Sequence, residues 1–369
     1  MFSLSPSEEQ KMIAETAVSF AREQVRPRAH EADEHGKIPA DLLQAGWDLG
    51  LVSAVIPEAY GGSGMERSAV TGAMVCEELA FGDLAIALAL LTPSLFAYPV
   101  LTCGAEEQKS KYLPAACGDA PAALTAAVME PAMNFDLSEL KTTAKKSGAG
   151  WVLDGKKCFV PFAATAERIL VYAALDGRPG YENVGAFIVE KGAPGLTISD
   201  PERWMGVQAL PTAGIELAGV KVDDSARLGG DAGCDFGKLM SYSRVALAAM
   251  AVGVARAANE YARDYAKERV AFGEPIAHKQ AIAFMIAEDY MEIEAARLLV
   301  WEAAWRLDAG QDAFSAAYLA KLYADQMALK AADDAVQTLG GHGYIREHPV
   351  ELFLRNARGF ATFDGIAIV

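Results

Sequence analysis

Thr142–Val160 reads TTAKKSGAGWVLDGKKCFV, and its texture decides the fold. Short β-prone runs are broken at Gly148 and at Asp154-Gly155, the pattern of strands joined by tight turns. The same texture returns in RILVYAAL (Arg168–Leu175), GAFIVEKG (Gly185–Gly192) and AGIELAGVKV (Ala213–Val222). From about Pro121 to Gly230 the chain is therefore expected to form a β-domain, a small barrel or sandwich.

Outside that span the apolar period changes to that of helices. Before it, Met12, Ile13, Val18 and Phe20, then Leu42, Leu43 and Trp47, mark a helix pair, with Ser5 and Glu8 as a capping start. Pro57–Gly64, PEAYGGSG, reads as a loop; helical patterning resumes through Val70–Leu79 and Ile86–Phe96 and ends by Leu113. After it, alanine-rich stretches such as Arg244–Val270 and Ala281–Gly310 run with few breakers, as in long helices whose faces pack a core or another subunit. The expected fold is α+β, mainly α: an N-terminal helical domain (1–120), a central β-domain (121–232) and a C-terminal four-helix bundle (233–369).

With 369 residues, 52% of them hydrophobic, the chain has ample material for a core without staples. No run approaches the roughly 20 apolar residues of a membrane span, and no basic start precedes an apolar run. The expectation is a cytoplasmic or organellar-matrix protein. The net charge of −16 repels a phosphate backbone, which makes nucleic acid an unsuitable partner, and an anionic substrate would need a local basic pocket. Five cysteines, Cys76, Cys103, Cys117, Cys158 and Cys234, lie far apart without a CxxC pair, and the five histidines are scattered. Neither a disulfide framework nor a metal site is suggested.

Three segments could carry chemistry. Leu352–Val369, LFLRNARGFATFDGIAIV, sets one acid, Asp364, among Phe360, Phe363, Ile366 and Ile368. A carboxylate there would lose hydration and gain basicity, which suits a general base; the alternative is an Asp-Gly turn with a solvated side chain. Gly340 and Gly341, in QTLGGHGY, allow backbone to approach a ligand or simply cap a helix. Arg269 with Phe272, in ERVAFGEPIAHKQ, can fork onto phosphate while the ring covers an adenine, or be a helix-end surface residue. The chain has no GxGxxG after a strand, no P-loop and no GxSxG, which disfavours the usual nucleotide and hydrolase folds.

Taken in order, PEAYGGSG, GVKVDDSARLGG (Gly219–Gly230), ERVAFGEPI, QTLGGHGYIREHPVE and RNARGFATFDG resemble the acyl-CoA dehydrogenase family across nearly the whole chain. The resemblance implies FAD and an acyl-CoA substrate. In that family the α-proton of the thioester is removed by a carboxylate while the β-hydrogen passes as hydride to flavin N5. Electron-transfer flavoprotein usually reoxidises the flavin. Members are commonly homotetramers, with each FAD lying between a β-domain and the C-terminal helices of a neighbouring subunit. On this reading Arg269, Phe272, Gln280, Gln337, Gly340 and Gly341 meet the ADP half of FAD. Met129, Phe159, Val160, Pro161 and Ile366 face the flavin ring, and Phe135, Tyr242, Arg244, Phe363 and Gly365 meet the substrate.

The base in the family's Tyr-Glu-Gly-Thr motif falls at Asp364, within Phe363-Asp364-Gly365-Ile366. Some members place it before an Arg in the first long C-terminal helix; here that position is Ser243, which cannot serve. Asp is one methylene shorter than Glu, a retraction of about 1.5 Å. The family's Thr-Glu-Pro-Gly-x-Gly-Ser-Asp appears as Met129–Asp136, with Met129 for Thr and Phe135 for Ser. Its Trp-Ile-Thr appears as Phe159-Val160-Pro161, and Pro161 offers neither hydroxyl nor N–H toward N5. Three functions follow: a dehydrogenase for a cyclic, aromatic or otherwise unusual acyl-CoA; a flavin-poor subunit of a heterotetramer; or a non-catalytic structural or binding paralogue. An oxidase is a further variant, since an Asp base also occurs in nitroalkane-oxidising relatives of the fold.

Overall fold

The computed structural model describes residues 5–369. It opens with helices α1 (Glu8–Phe20) and α2 (Arg26–His35), continuous through a π-turn at Ala21–Val25, then α3 (Ala40–Asp48). The cap of α1 lies two residues beyond the expected one. Ser7 Oγ accepts from Gln10 N–H at 3.2 Å while Gln10 Oε1 accepts from Ser7 N–H at 2.9 Å. Helices α4 (Ala69–Gly82), α5 (Leu84–Leu91), α6 (Ser94–Cys103) and α7 (Glu106–Tyr112) complete the N-terminal layer. Asp83 ends α4 and starts α5, its Oδ1 accepting from Ile86 N–H at 2.9 Å.

The middle of the chain forms one curled sheet, half of a barrel, from β1 (Leu124–Ala127), β2 (Thr143–Ser147), β3 (Gly150–Pro161), β4 (Arg168–Leu175), β5 (Val184–Glu190), β6 (Leu196–Pro201) and β7 (Thr212–Asp223). β4 carries β1 and then β2 in tandem along one edge, both parallel to it, and β5 antiparallel along the other. β3 joins β2 to β7, and β6 closes the far edge. β3 pairs with β7 through two irregularities, the second between Lys157 and Val160. That irregularity re-aims Phe159, the usual effect of an extra residue in a ladder. Beneath it Lys157, with its side chain fully buried, donates to Glu130 Oε1 and to the Val128 carbonyl, both at 2.9 Å. Glu130 also accepts from Lys141 and Thr142 N–H, which fixes the Met129–Asp136 connection to the sheet.

The last layer holds α8 (Phe236–Glu268), a small hairpin β8 (Val270–Ala271) and β9 (Glu274–Pro275), then α9 (Gln280–Asp308), α10 (Phe314–Leu339) and α11 (Val350–Ala357). α8 is the spine, with apolar residues from Val245 to Val254 almost wholly buried. α4 crosses it at Gly253, where a Cβ would stand 2.1 Å from the Glu77 carbonyl oxygen. At the same crossing Glu77 accepts from Arg256 of α8 and Arg297 of α9. Asp308, at the end of α9, caps α4 by accepting from Ala69 N–H and Ser68 Oγ. The N- and C-terminal helical layers are thus keyed together by charge as well as by packing.

One expectation is corrected. Cys103 at the end of α6 and Cys234 before α8 form a disulfide, their Cα atoms 5.6 Å apart. They are separated by 131 residues, and spacing along the chain carries no information about a pairing made by the domain junction. Among the described residues no single helix is long and apolar enough to cross a membrane, and the apolar α5–α6 pair lies inside the core.

Candidate active site

Asp364 sits in the turn after α11, where the tail passes between the helical layers and the sheet. The flanking residues Phe363, Ile366, Ala367 and Ile368 are buried, and Asp364 itself is half-buried, its side chain 28% exposed. Gly365 makes the turn, with φ +67; a Cβ on it would stand 2.6 Å from the Val128 side chain at the end of β1. The solvated Asp-Gly turn is therefore not what forms.

Arg244 reaches Asp364 from α8, Nε to Oδ1 at 4.0 Å, and its Nη2 donates to Tyr181 Oη at 3.1 Å. Its guanidinium lies over the Phe314 and Tyr318 rings. Burial pushes the Asp364 carboxyl above its ordinary range, against the pull of Lys321 and Arg244 and with a further push from Asp136. Among the described residues Asp364 Oδ1, Arg244 Nη1 and Ser243 Oγ are buried without a hydrogen-bond partner. Unpartnered buried polar atoms are rare in native proteins, and two of these, on Asp364 and Arg244, belong to side chains 4.0 Å apart, an arrangement that can receive a polar ligand. A larger hollow of about 530 Å³ lies on the far side of the tail, between α1, α4 and Ile368–Val369, away from this carboxylate.

Of the expected flavin-side residues, Met129, Phe159 and Ile366 share one cluster, whereas Val160 packs in the separate cluster within the sheet. Cys158 N–H donates to the Met129 carbonyl at 3.0 Å, and Val160 and Pro161 follow on β3, both buried. Phe159 is in the left-handed region at φ +54, its N–H held by both oxygens of Glu202 at 3.1 and 3.0 Å. Its ring is 4% exposed and lies between Trp204, at 4.8 Å, and Phe363, at 4.9 Å between centroids. Beside these rings remains a hollow of about 110 Å³. Phe135 is half-buried at the edge of the cluster shared by the sheet and α6, and Tyr242 lies under the Arg67 guanidinium at 4.4 Å.

The second group of residues is elsewhere. Arg269, Gly340 and Gly341 line a hollow of about 390 Å³ with Tyr265 and His342, and Phe272, Gln280 and Gln337 are exposed around the same end of the bundle. Arg269 ends α8 and Arg244 lies near its start. At 1.5 Å of rise per residue the two are about 37 Å apart. No single dinucleotide could bridge Arg269 and Asp364 of one chain.

The two ends fit FAD unequally. The Arg269–Gly341 end offers an open basic hollow with accessible backbone, which suits a diphosphate and adenosine. The ring end, with Phe159 closed onto Phe363 and no N–H at Pro161, does not admit an isoalloxazine between those two rings as they stand. Sequence reading missed Lys321, Asp325, Glu202 and Trp204 here. The first two carried a signal, opposite charges one turn apart on an otherwise alanine-rich helix.

Three family models match in succession: the acyl-CoA dehydrogenase N-terminal domain over residues 7–119, the middle domain over 125–220 and the C-terminal domain over 236–367. The chain is 38% identical to cyclohex-1-ene-1-carbonyl-CoA dehydrogenase of Syntrophus aciditrophicus, over 97% of this chain and 87% of that one. It is 34% identical to the 3-(aryl)acrylate reductase of Clostridium sporogenes, over 98% and 96%. The solved structure of butyryl-CoA dehydrogenase from Megasphaera elsdenii superposes with a TM-score of 0.88 at 32% identity, covering 98% of this chain and 95% of that one. With all three layers and the sequence in agreement, the chain belongs to the acyl-CoA dehydrogenase family, oxidoreductases that act on CH–CH bonds.

Proposed function

We propose that this chain works in the FAD-dependent α,β-dehydrogenation of an acyl-CoA, with Asp364 as the group that takes the α-proton. The observation that carries this reading is the neighbouring pair of unpartnered buried atoms, Asp364 Oδ1 and Arg244 Nη1, on side chains 4.0 Å apart. Asp364 is an acceptor made more basic by burial, and Arg244 is a donor beside it. Together they can hold a thioester and remove a proton next to its carbonyl. Arg244, fixed by Tyr181 and two rings, keeps the carboxylate oriented without pairing closely with it. FAD, were it bound with the Phe159 ring turned away from Phe363, would supply the acceptor for the β-hydride, and electron-transfer flavoprotein is the expected oxidant of the reduced flavin. The relatives named for a cyclohexene-carbonyl-CoA and an arylacrylate support a cyclic or aromatic acyl group. So do Met129, Phe135 and Pro161, which put apolar surface where the family carries hydroxyls. The test is Asp364→Asn, which should abolish α-proton exchange from bound acyl-CoA and leave FAD content unchanged. Undiminished exchange removes Asp364 from the role. Comparing turnover with electron-transfer flavoprotein and with O₂ separates dehydrogenase from oxidase.

A specific observation favours a second reading. Phe159 closes onto Phe363 where the ring would lie, whereas the Arg269–Gly341 end is open. With the two ends about 37 Å apart along α8, the nucleotide end of this chain serves a neighbouring subunit. If that neighbour is a homologue with an open ring site, this chain is the flavin-poor member of a heterotetramer; if it is a second copy, the assembly is a homotetramer. Flavin absorbance per chain, measured on the protein purified alone, decides between them. Full occupancy rules out the flavin-poor subunit, and a colourless protein that turns yellow only with a co-purified homologue supports it.

A further inference from the structure

On the face of α10 turned toward the tail, Lys321 and Asp325 stand one helical turn apart, Nζ to Oδ2 at 2.7 Å, each side chain 10% exposed. The same ammonium donates to the Phe360 carbonyl at 3.0 Å, four residues before Asp364. The other Asp325 oxygen, Oδ1, is buried without a hydrogen-bond partner. The charged groups that act on Asp364 come from three elements: Lys321 and Asp325 on α10, Arg244 on α8, and Asp136 in the connection from β1 to β2. Lys321 is the strongest of the cations among them. Burial lifts Asp325 to about 6, against the pull of Lys321 and with a push from the Asp364 charge, so the two carboxyls sense one another.

Anchoring the Phe360 carbonyl accounts for a donor at Lys321 but not for the acid at Asp325. Apolar residues of similar volume at a buried ion pair are often as stable or more so, and the α10 positions around it are alanines: Ala317, Ala320, Ala324 and Ala328 are buried without charge. A charged pair kept here points to something the charges act on, and the carboxylate within their field is Asp364.

We propose that Asp325 is a positioning residue for the base, holding the Lys321 ammonium on α10 and the Phe360 carbonyl so that it does not form an ion pair with Asp364. The proposal rests on the reading of Asp364 as proton acceptor. An ammonium free to swing onto Asp364 would stabilise its carboxylate and weaken it as a base. With Asp325 in place Lys321 is neutralised, yet it still anchors the turn that carries Asp364.

The two partners must then act in opposite directions. Asp325→Asn frees Lys321 to pair with Asp364 and lowers the midpoint at which Asp364 loses its proton. Lys321→Met removes the cation and leaves two facing carboxyls, which raises it. Each displacement should be about one pH unit, the scale of a charge gained or lost within a few ångströms. The midpoint is read directly on the full chain by isotope-edited infrared titration with ¹³C-aspartate, the Asp364 band being assigned by its loss in Asp364→Asn. α-Proton exchange from bound acyl-CoA is followed in parallel across the same pH range. Opposite shifts in the infrared titration establish the coupling; shifts of the same sign, or none, overturn it. If Lys321→Met does not fold, Lys321→Gln tests the same sign with less change in polarity. Wild-type protein that shows the coupling but exchanges no α-proton overturns the reading of Asp364 as base, a failure distinct from loss of the coupling.

Discussion

Replacing Phe159 by alanine and, separately, by glycine tests both the closed ring site and the conformation that closes it. The ring is almost wholly buried against Trp204 and Phe363. Removing a buried Phe side chain costs about 3–5 kcal/mol, including two aromatic pairs worth roughly 0.5–1.5 kcal/mol each beyond burial. The backbone at φ +54 adds a second contribution that the two substitutions treat differently. A side chain in the left-handed region costs roughly 1–2 kcal/mol, which alanine retains and glycine relieves. Glycine loses about 0.5–1 kcal/mol to its more mobile unfolded chain. The glycine variant should therefore equal the alanine variant or exceed it by up to about 1.5 kcal/mol, although it has lost one more carbon. At an unstrained position the order would be reversed. Urea unfolding of the three proteins measures it. Opening the ring site should also raise bound FAD per chain above the wild-type value in both variants. An alanine variant clearly more stable than the glycine variant would refute the strained backbone, and wild-type protein already saturated with FAD would refute the closed site.

Three further outcomes follow from the site and its support. Because burial outweighs Lys321 and Arg244 at Asp364, α-proton exchange should rise with pH through a midpoint above the ordinary Asp value of about 3.9. The same weakened acidity favours the protonated carboxyl in the folded state, so its stabilising contribution is full below the unfolded value and is lost as pH rises through the folded one; Asp364→Asn should flatten that fall in a pH series of thermal melts. Lys157→Met leaves the Glu130 carboxylate buried with only two amide N–H partners and should cost about 3–5 kcal/mol in urea. The paired Glu130→Met, Lys157→Met protein should recover only part of that, because the Lys141 and Thr142 N–H groups still lose their acceptor, and no recovery would show that the stranded Glu130 charge is not what the single change costs. Gly365→Ala must keep φ +67 and bring a Cβ within 2.6 Å of Val128. It should slow α-proton exchange by about a hundredfold if the turn moves by about 1 Å, and an unchanged rate would mean the turn does not set the base's position.

Most of the layer order could be read from the chain because it depends on local period: Val70–Leu79 and the stretch from Arg244 to Val270 repeat as helices must, and β3 and β7 alternate as strands must. The start of α1 was misplaced because Ser5–Glu8 and Ser7–Gln10 have the same spacing, and only the geometry of the entering chain selects one. The tandem placement of β1 and β2 along β4, like the Cys103–Cys234 pairing, is a contact between distant segments that no local pattern encodes. Asp364 could be singled out by its apolar neighbours. Nothing along the chain singles out Lys321 and Asp325 from an ordinary exposed i,i+4 pair, because the tail that covers them arrives from Phe360, distant in sequence. The inward turn of Phe159 was hidden for a different reason: a phenylalanine in the left-handed region goes against its own preference, and Glu202, far along the chain, holds it there.

The crossing of α4 over α8 has a consequence for how the molecule can be divided. Glu77 is clasped by Arg256 and Arg297, and Gly253 lets the two backbones meet without intervening side chains. A fragment beginning at Phe236 would take Glu77 and Glu78 from Arg256 and Glu77 from Arg297, leaving them Glu260 and Glu294, and would bare an apolar groove along α8, so the C-terminal bundle is not a module to be expressed or grafted alone. A single protease cut in the connection before β1 should leave two pieces that stay associated through gel filtration and part only in denaturant. In fusion or recombination designs the first and last layers must travel together, and the curled sheet between them is the part to exchange.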